Sequence, residues 1–317
     1  MGSSTTQSEG AERALLLHSE PDEVMDVLER CRGLDWAAAR SPDEVTSVLA
    51  AHRPTVVLSI KHSGFPGPAH RAALVAPGVR WFHVGGSGRD HLEPLPAGVR
   101  VTDSAGVLAP FHAERALAAL LHLSARIGAH ARAQADRRWE PARFRSLAGR
   151  TLLVVGAGHT GTGLAALVRP LGMRVVGVRR TAGAAAPPFD ELHPPAALDD
   201  LLPRADVLSI HVPRTPETER LMDAGRLARL PAGAVVLNAA RGAVLDADAL
   251  LAALERNVAA AWLDVFDVEP LPAESALWSH PDVLVTPHCA DQVEDFPRRF
   301  AERFRALWEA EPAERGA

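Results

Sequence analysis

Residues 151–180 read TLLVVGAGHTGTGLAALVRPLGMRVVGVRR, and this stretch decides the fold. An apolar run at 152–155 leads into GAGHTG at 156–161, a G-x-G-x-x-G pattern. A segment rich in Ala and Leu then continues to about Leu171, and a second apolar run at 175–178 closes the unit. Strand, glycine turn, helix and strand form the βαβ context that a dinucleotide-binding fingerprint requires.

Each glycine of the pattern has a separate expected role. Gly156 allows the tight turn, Gly158 lets the backbone approach a pyrophosphate, and Gly161 lets the helix pack against the strand. The N–H groups of the first helical turn, at His159 and Thr160, would hold the pyrophosphate at the positive end of the helix dipole. A glycine-rich turn alone would explain the pattern equally well, but the flanking strands favour a cofactor site at these five residues.

The end of the second predicted strand indicates which dinucleotide binds. Sites that prefer NAD carry Asp or Glu about 20 residues past the glycines, bonded to the ribose 2′-hydroxyl. Here Arg179, Arg180 and Thr181 occupy that place. Guanidinium groups pair with a 2′-phosphate, so we predict that NADP(H) is preferred and that NAD(H) is the second choice. A solvated surface charge remains the alternative for one of the two arginines.

Composition excludes several classes of protein. The 317 residues are enough for two domains, and 47% hydrophobic with 23% charged residues is ordinary for a globular protein. A net charge of −5 gives no sign of nucleic-acid binding. Two cysteines, Cys31 and Cys289, form neither a disulfide framework nor a C-x-x-C zinc motif, so no metal is expected. The absence of a leader-like or membrane-length apolar run predicts a cytoplasmic protein without membrane contact.

Apolar runs and helical patterns alternate on both sides of the fingerprint. Before it, strand-like runs at 14–18, 55–60, 79–84 and 99–102 predict a small parallel α/β domain. After it, strands and helices predict a doubly wound sheet. The predicted strands there are 207–212, 234–237, 258–263 and 283–285, and the predicted helices are 218–229, 245–256 and 291–310. A long helix over 111–132 is predicted ahead of the fingerprint.

Three segments carry reactive side chains at the ends of predicted strands, where ligands bind in such sheets. They supply Arg241, Glu269 and His288 from NAARGAVLD, DVFDVEP and TPHC, respectively. An imidazolium can protonate the oxygen of a carbonyl that receives a hydride, and a carboxylate can orient that ring. A guanidinium can polarise the carbonyl and anchor a carboxylate. Each residue alone fits an ordinary turn or loop, but together they favour hydride transfer.

The chain resembles the D-isomer-specific 2-hydroxyacid dehydrogenase family. The resemblance runs from about 139 to 290 and includes GAGHTG, HVPRTPET, LNAARGAVLDADAL, LDVFDVEPLP and TPHCA in that order. It implies an α/β fold in which a Rossmann cofactor domain is inserted into a smaller flavodoxin-like substrate (catalytic) domain. Mapped onto this chain, residues 11–103 and 290–317 form the substrate domain, and 104–289 the dinucleotide-binding domain. The polar residues 1–10 are expected, from the sequence itself, to form a disordered tail.

The resemblance also implies roles for individual residues. Arg241, Glu269 and His288 would be catalytic, with Arg241 also binding substrate and His288 acting as the acid/base. Ser87 and Gly88 would bind the substrate carboxylate through their backbone, and Lys61, at the end of a first-domain strand, is a further hypothetical anion-binding residue. The remaining cofactor contacts would come from His211, Val212, Pro213, Thr218, Ala239, Ala240 and Asp264, the last of these toward the nicotinamide carboxamide.

Departures from the family pattern refine the predicted activity. Arg179 stands in place of the family's usual acidic residue. This pattern is similar to that of the glyoxylate and hydroxypyruvate reductases that use NADPH. Cys289 and Asp291 replace an aliphatic residue and a glycine, which puts the shape of the pocket in question. We therefore expect an NADPH-dependent reductase that converts a small 2-ketoacid to the D-2-hydroxy acid and, as the family implies, forms a homodimer.

Other functions on the same fold remain open. Phosphoglycerate and phosphite dehydrogenases are similar in the same Arg, Glu and His residues. A formate dehydrogenase is disfavoured because those relatives pair the histidine with glutamine, whereas this chain has Glu269. Dinucleotide-sensing transcriptional corepressors also resemble the chain and keep the three residues. Brisk turnover of ketoacids would distinguish a dehydrogenase from such a sensor.

Overall fold

The computed structural model describes residues 11–60, 65, 67–86, 88–181 and 185–310. Lys61 and Ser87, two of the predicted substrate-binding residues, lie outside the described residues. The chain divides into two compact units, one made of 1–108 with 294–317 and the other of 109–293. The predicted domain junctions, at 103/104 and 289/290, fall within five residues of these divisions, and the functions assigned to the two domains stay a prediction.

The first unit contains a parallel sheet in the order β2-β1-β3-β4-β5 among its described residues. This order is that of flavodoxin-like doubly wound sheets. Strands β3 and β4 are buried along their whole length, because helices cover both faces of such a sheet. The strands are β1 Glu12–Leu17, β2 Leu34–Ala39, β3 Val56–Ile60, β4 Trp81–Gly85 and β5 Arg100–Asp103.

Helices of the first unit come from both ends of the chain. They are α1 Met25–Leu28, α2 Val45–His52, α3 Gly67–Leu74 and, near the C-terminus, α10 Phe296–Glu309. Helix α10 packs its aromatic side chains onto β4, with the Trp308 and Phe304 rings 5.7 and 5.3 Å from the Trp81 ring. The Trp308 Nε1–H donates to the Arg32 carbonyl at 3.1 Å, which ties the end of the chain to its beginning.

The second unit is built on a larger parallel sheet in the order β12-β11-β10-β9-β6-β7-β8. From β6 the strand order runs to one edge through β7 and β8 and then to the other edge through β9 to β12. The boundary between β6 and β9 is therefore the topological switch point, where dinucleotides bind in Rossmann sheets. Its strands are β6 Thr151–Val155, β7 Arg174–Val178, β8 Glu191–His193, β9 Val207–Ile210, β10 Ala234–Asn238, β11 Val258–Leu263 and β12 Val283–Val285.

The helices of the second unit cover the two faces of this sheet. They are α4 Ala109–Ser124, α5 Ile127–Ala135, α6 His159–Val168, α7 Leu198–Leu201, α8 Ala224–Leu227 and α9 Ala247–Leu254. Alternate residues of β6 enter two separate apolar clusters, Leu153 and Val155 on one face and Leu152 and Val154 on the other. Among the described residues, no helix combines the length and the apolar character needed to span a membrane.

Two predicted helices were wrong in extent. The helix predicted over 111–132 is two helices, because Arg126 adopts a left-handed φ of 56° between α4 and α5. The helix predicted over 218–229 is only the short α8. Residues ahead of α8 pair instead with the segment after β10, since the Met222 N–H donates to the Val244 carbonyl at 3.0 Å.

Sequence inspection also missed two strands. The Ala-rich β2, Leu34–Ala39, has no alternating pattern, and its pairing with β1 determines its conformation. Strand β8 has only three residues, too few to give a periodic signal, and forms by pairing with β7.

The glycines of the fingerprint meet the close contacts that the sequence predicts. Gly156 has a φ of +101°, and a Cβ there would lie 2.7 Å from the His211 carbonyl group. A Cβ at Gly161 would lie 2.5 Å from the Gly156 carbonyl oxygen and 2.6 Å from the Val154 side chain. At Gly158, by contrast, a Cβ would meet nothing within 4 Å. Gly156 and Gly161 are therefore required by the fold itself, whereas Gly158 borders open space.

We expect Gly161→Ala to lower the free energy of unfolding by about 1–3 kcal/mol, the usual cost of overpacking a close contact. Gly158→Ala serves as the matched control, and we expect a loss below about 1 kcal/mol, because the added methyl group meets no protein atom and only the preference for Gly over Ala at the helix N-cap is lost. Urea unfolding without cofactor, followed by circular dichroism, measures both. Equal effects of the two substitutions would contradict this assignment of the glycines.

Candidate active site

The sequence-predicted site residues of the second unit converge at one edge of its sheet. Because every strand pair in this sheet is parallel, the turns after the strands meet at their carboxyl ends. The turn after β6 supplies Gly156, Gly158, His159, Thr160 and Gly161, and the turn after β7 supplies Arg179, Arg180 and Thr181. The loop after β9 supplies His211, Val212, Pro213 and Thr218, and the turn after β10 supplies Ala239, Ala240 and Arg241. Asp264 and Glu269 follow β11, and His288 follows β12. Gly88 lies in the first unit.

His288 and Glu269 form a direct pair. Nδ1 of His288 lies 2.7 Å from Oε2 of Glu269, and both side chains are partly exposed. The other carboxylate oxygen, Oε1, accepts the Phe266 backbone N–H at 3.0 Å. A carboxylate at Nδ1 fixes the orientation of the ring and leaves Nε2 as the nitrogen that can exchange a proton with a substrate.

Asp264 organises the loop that carries His288. Its carboxylate is fully buried and accepts the backbone N–H groups of Cys289 at 3.1 Å and Ala290 at 2.9 Å. The Thr286 hydroxyl donates to the same carboxylate and in turn accepts the Trp262 indole N–H at 2.9 Å. These donors bracket His288 in sequence, so the buried carboxylate determines where the imidazole lies. The predicted contact of Asp264 with a nicotinamide carboxamide stays a prediction.

The turn that carries Arg241 is fixed by a second buried polar residue, Asn238, at the end of β10. Its side chain accepts the Ala240 N–H and donates to the Arg241 carbonyl, both at 3.1 Å. Next in the chain, a Cβ at Gly242 would lie only 2.0 Å from the Phe266 carbonyl carbon. This close approach places the Arg241 turn directly against the segment that ends in Glu269.

The nucleotide-binding edge is open at the fingerprint. Gly158 precedes α6 in an extended conformation, and the N–H groups of the first helical turn have no acceptor within the helix. The turn after β9 closes on itself, since the Thr218 hydroxyl donates to the Pro213 carbonyl at 2.6 Å. The loop after β9 is joined to the fingerprint turn, because the His211 N–H donates to the Val155 carbonyl at 2.8 Å. This edge fits a dinucleotide pyrophosphate, because it offers N–H donors beside open space.

Two further histidines belong to the same edge of the second unit. Burial lowers the pKa of His211 to about 4, and its Nε2 lies 2.8 Å from the Ser209 hydroxyl. Burial also lowers the pKa of His112, on α4, against the opposing influence of Asp291 and Asp264. Both imidazoles are therefore favoured in the neutral form, unlike a histidine that must deliver a proton.

Four residues of the site were not predicted from the sequence as site residues: Asn238, Gly242, Thr286 and His112. Asn238 and Gly242 lie within a motif that was recognised, and an Asn at the end of an apolar run is a usable signal for a side-chain-stabilised turn. His112 has no such signal, because its proximity to the other groups depends on how α4 packs on the sheet.

Comparison with known proteins places this site in a family context. The family model described as D-isomer specific 2-hydroxyacid dehydrogenase, NAD binding domain, matches residues 117–290. A glyoxylate reductase of Thermofilum pendens is 32% identical over 240 residues, which cover 72% of this chain and 70% of that protein. A D-3-phosphoglycerate dehydrogenase of Mycobacterium tuberculosis is 40% identical over 182 residues, covering 56% of this chain but 34% of that protein.

A solved structure is similar over nearly the whole chain. It is a D-isomer specific 2-hydroxyacid dehydrogenase from Xanthobacter autotrophicus Py2, crystallised in complex with NADPH and MES. The two proteins are 32% identical with a TM-score of 0.77, and the match covers 97% of this chain and 98% of that one.

We expect Asp264→Asn to loosen the loop that carries His288. The amide would face the Cys289 and Ala290 N–H groups with one acceptor oxygen instead of two, so a charge-assisted hydrogen bond is lost. Hydrogen exchange at these two amides should accelerate by about 10- to 100-fold. Glu269→Gln is the control, because Glu269 does not contact these amides. Unchanged exchange in Asp264→Asn would show that the carboxylate does not hold the loop.

Proposed function

The chain belongs to the D-isomer specific 2-hydroxyacid dehydrogenase family, and on that premise we propose that it is an NADPH-preferring reductase of a small 2-ketoacid. Membership makes the protein an oxidoreductase that uses a nicotinamide dinucleotide and acts on 2-hydroxyacids or 2-ketoacids. The observation that carries the proposed chemistry is the hydrogen-bonded His288–Glu269 pair beside the Arg241 turn. Glyoxylate and hydroxypyruvate are the proposed substrates, and the D-2-hydroxy acid is the proposed product.

The proposed mechanism uses the three side chains in distinct roles. The turn at Gly156–Gly161 would hold a reduced nicotinamide dinucleotide, which would provide the hydride for the carbonyl carbon. His288 donates the Nε2 proton to the carbonyl oxygen, so the ketone becomes a hydroxyl group. Glu269 holds the ring through Nδ1 and stabilises the imidazolium before transfer. Arg241 binds the substrate carboxylate and polarises the carbonyl.

The preference for NADPH is supported by the charges after β7. The side chains of Arg179 and Arg180 make no hydrogen bond or ion pair within the described part of the chain. The hydrogen bond to Thr215 is the main cause of the lowered pKa of Glu217, and the charge of Arg180 adds a smaller contribution. Nearby arginines are used differently, since Arg174 pairs with Glu191 and Arg169 with Asp190. Two exposed guanidinium groups that are not bridged to a protein carboxylate suit a 2′-phosphate. The Xanthobacter relative was itself crystallised with NADPH.

A phosphoglycerate dehydrogenase is the second candidate. The Mycobacterium tuberculosis relative favours it, because its identity of 40% is higher than that of the glyoxylate reductase, although over a shorter stretch. Rates of NADPH and NADH oxidation with glyoxylate, hydroxypyruvate and pyruvate, compared with oxidation of 3-phosphoglycerate, distinguish the two candidates. Cofactor binding without turnover of any of these acids would favour a dinucleotide sensor instead.

The family resemblance supports the homodimer and the roles of Ser87 and Gly88, whereas the cytoplasmic location and the role of Lys61 are hypotheses drawn from the sequence. We propose a cytoplasmic homodimer, and we propose that Gly88, together with Ser87 and Lys61, binds the carboxylate end of the substrate. Substitution Lys61→Ala would leave the KM for the ketoacid unchanged if Lys61 were only a surface residue.

We expect His288→Asn to lower kcat by about 10²–10⁴-fold, because it removes the general acid. Asparagine is the appropriate replacement, since it tolerates the left-handed backbone at His288, where φ is 47°. Steady-state rates of ketoacid reduction measure kcat, and fluorescence titration with NADPH should show unchanged cofactor binding. Near-normal turnover in this variant would remove His288 from its proposed role.

The cofactor preference is tested at Arg179 and Arg180. We expect the double substitution Arg179→Gln and Arg180→Gln to raise the KM for NADPH by about 10- to 100-fold, through loss of charge-assisted hydrogen bonds to phosphate. The KM for NADH should stay within about twofold. Arg256→Gln, at an exposed arginine beyond α9, is the control for a general loss of positive charge. Equal effects on both cofactors would refute the proposed phosphate contact.

A further inference from the structure

A cluster of charged side chains surrounds Glu191 on β8, the edge strand beside β7. Glu191 accepts hydrogen bonds from Arg174, Arg204 and His193, with the Nε2 of His193 2.8 Å from Oε2. The hydrogen bonds from Arg204 and then His193 lower the pKa of Glu191 to about 2. The carboxylate is therefore ionised throughout the physiological range, and two guanidinium groups more than balance its charge.

His193 is positioned at the same sheet edge as Arg179. Strands β7 and β8 pair in parallel with Val178 opposite His193, so both strands end at the same level. The Arg179 N–H, the first beyond β7, donates to the His193 carbonyl at 3.1 Å. His193 therefore lies next to the proposed 2′-phosphate site. It is on β8, one of the strands that the sequence did not predict.

The faces of β8 separate its polar and apolar side chains. Leu192 packs toward β7, where a Cβ added at Gly177 would lie 2.7 Å from it. Glu191 and His193 lie on the opposite face, because side chains alternate along a strand. The hydrogen bond between Glu191 and His193 therefore runs along one face of β8. It holds the His193 ring at the carboxyl end of the strand.

The hydrogen bond to Glu191 determines which atom of His193 remains for a ligand. A carboxylate only accepts, so Nε2 carries a proton and donates it. Nδ1 makes no hydrogen bond among the residues that the structure describes, and 31% of the side chain is exposed. An anion at Nδ1 would favour a second ring proton, giving an imidazolium held between two anions. The other charged groups of the cluster, Arg174 and Arg204, make the surroundings attractive to such an anion.

We propose that His193 is a further residue that determines cofactor specificity, donating from Nδ1 to the 2′-phosphate beside Arg179. Glu191 is its positioning residue, because it holds the ring through Nε2. This inference rests on the proposed use of NADPH and adds to it a proton taken up when the phosphate binds. NAD lacks the phosphate, so neither the contact nor the proton uptake should occur with that cofactor.

Calorimetric titration with NADP⁺ and NAD⁺ tests the contact without requiring turnover. We expect His193→Gln to raise the Kd for NADP⁺ by about 10-fold and to leave the Kd for NAD⁺ within about twofold. His280→Gln is the matched control, because His280 also lies near a glutamate, with 3.7 Å to Glu255, but it precedes β12 at the opposite edge of the sheet. We expect that control to change neither affinity.

Repeating the titrations at pH 7.5 in two buffers with different ionisation enthalpies measures the protons exchanged. The wild-type protein should take up a fraction of a proton with NADP⁺ and none with NAD⁺, and His193→Gln should abolish the uptake. A merely structural role for His193 would weaken both cofactors equally and leave the proton uptake unchanged.

The outcomes separate this inference from the proposed function. If the wild-type protein prefers NADP⁺ and His193→Gln keeps both that preference and the proton uptake, only the role of His193 is overturned. If the wild-type protein binds NADP⁺ and NAD⁺ equally tightly, the proposed cofactor preference and the role of His193 both fail.

Discussion

The candidate site depends most on one buried carboxylate. Asp264 lies fully buried at the end of β11, where an ionised group is tolerated only if donors replace the water that it loses. The backbone N–H groups of Cys289 and Ala290 and the Thr286 hydroxyl supply those donors. The need to satisfy this charge fixes the loop after β12, and His288 lies within that loop. The hydrogen bonds that stabilise the buried carboxylate therefore also hold His288, the proposed acid, in position.

Close backbone contacts complete the arrangement, because each reactive side chain comes from a different strand. Gly156 brings the fingerprint turn against His211, and Gly242 brings the Arg241 turn against Phe266. A methyl group at either position would separate two turns that must touch. The sheet sets the level of the strand ends, and these glycines set the spacing of the loops above them. The distances needed for proton and hydride transfer depend on both.

The opposite end of the site is organised by charge. Glu191, on the edge strand, pairs with Arg174, Arg204 and His193. The side chains of Arg179 and Arg180 have no carboxylate partner of this kind within the described part of the chain. A carboxylate at the end of β7 would suit a ribose hydroxyl, whereas this arrangement leaves an excess of positive charge. The proposed cofactor preference thus follows from which carboxylates are already neutralised, as well as from the arginines themselves.

The sequence by itself determined the family, the fold class and the strand ends at which Arg241, Glu269 and His288 lie. These follow from local patterns: glycines that only a tight turn or close packing requires, apolar runs that must be buried, and motifs in a fixed order. It did not determine the break at Arg126 or the short strand β8, because neither has a periodic signal. Only the tertiary structure decided that Asp264 holds the His288 loop and that His193 lies beside Arg179. Those contacts join residues that are 25 and 14 positions apart in the chain, respectively, and they form only once the sheet has brought the strands that carry them side by side.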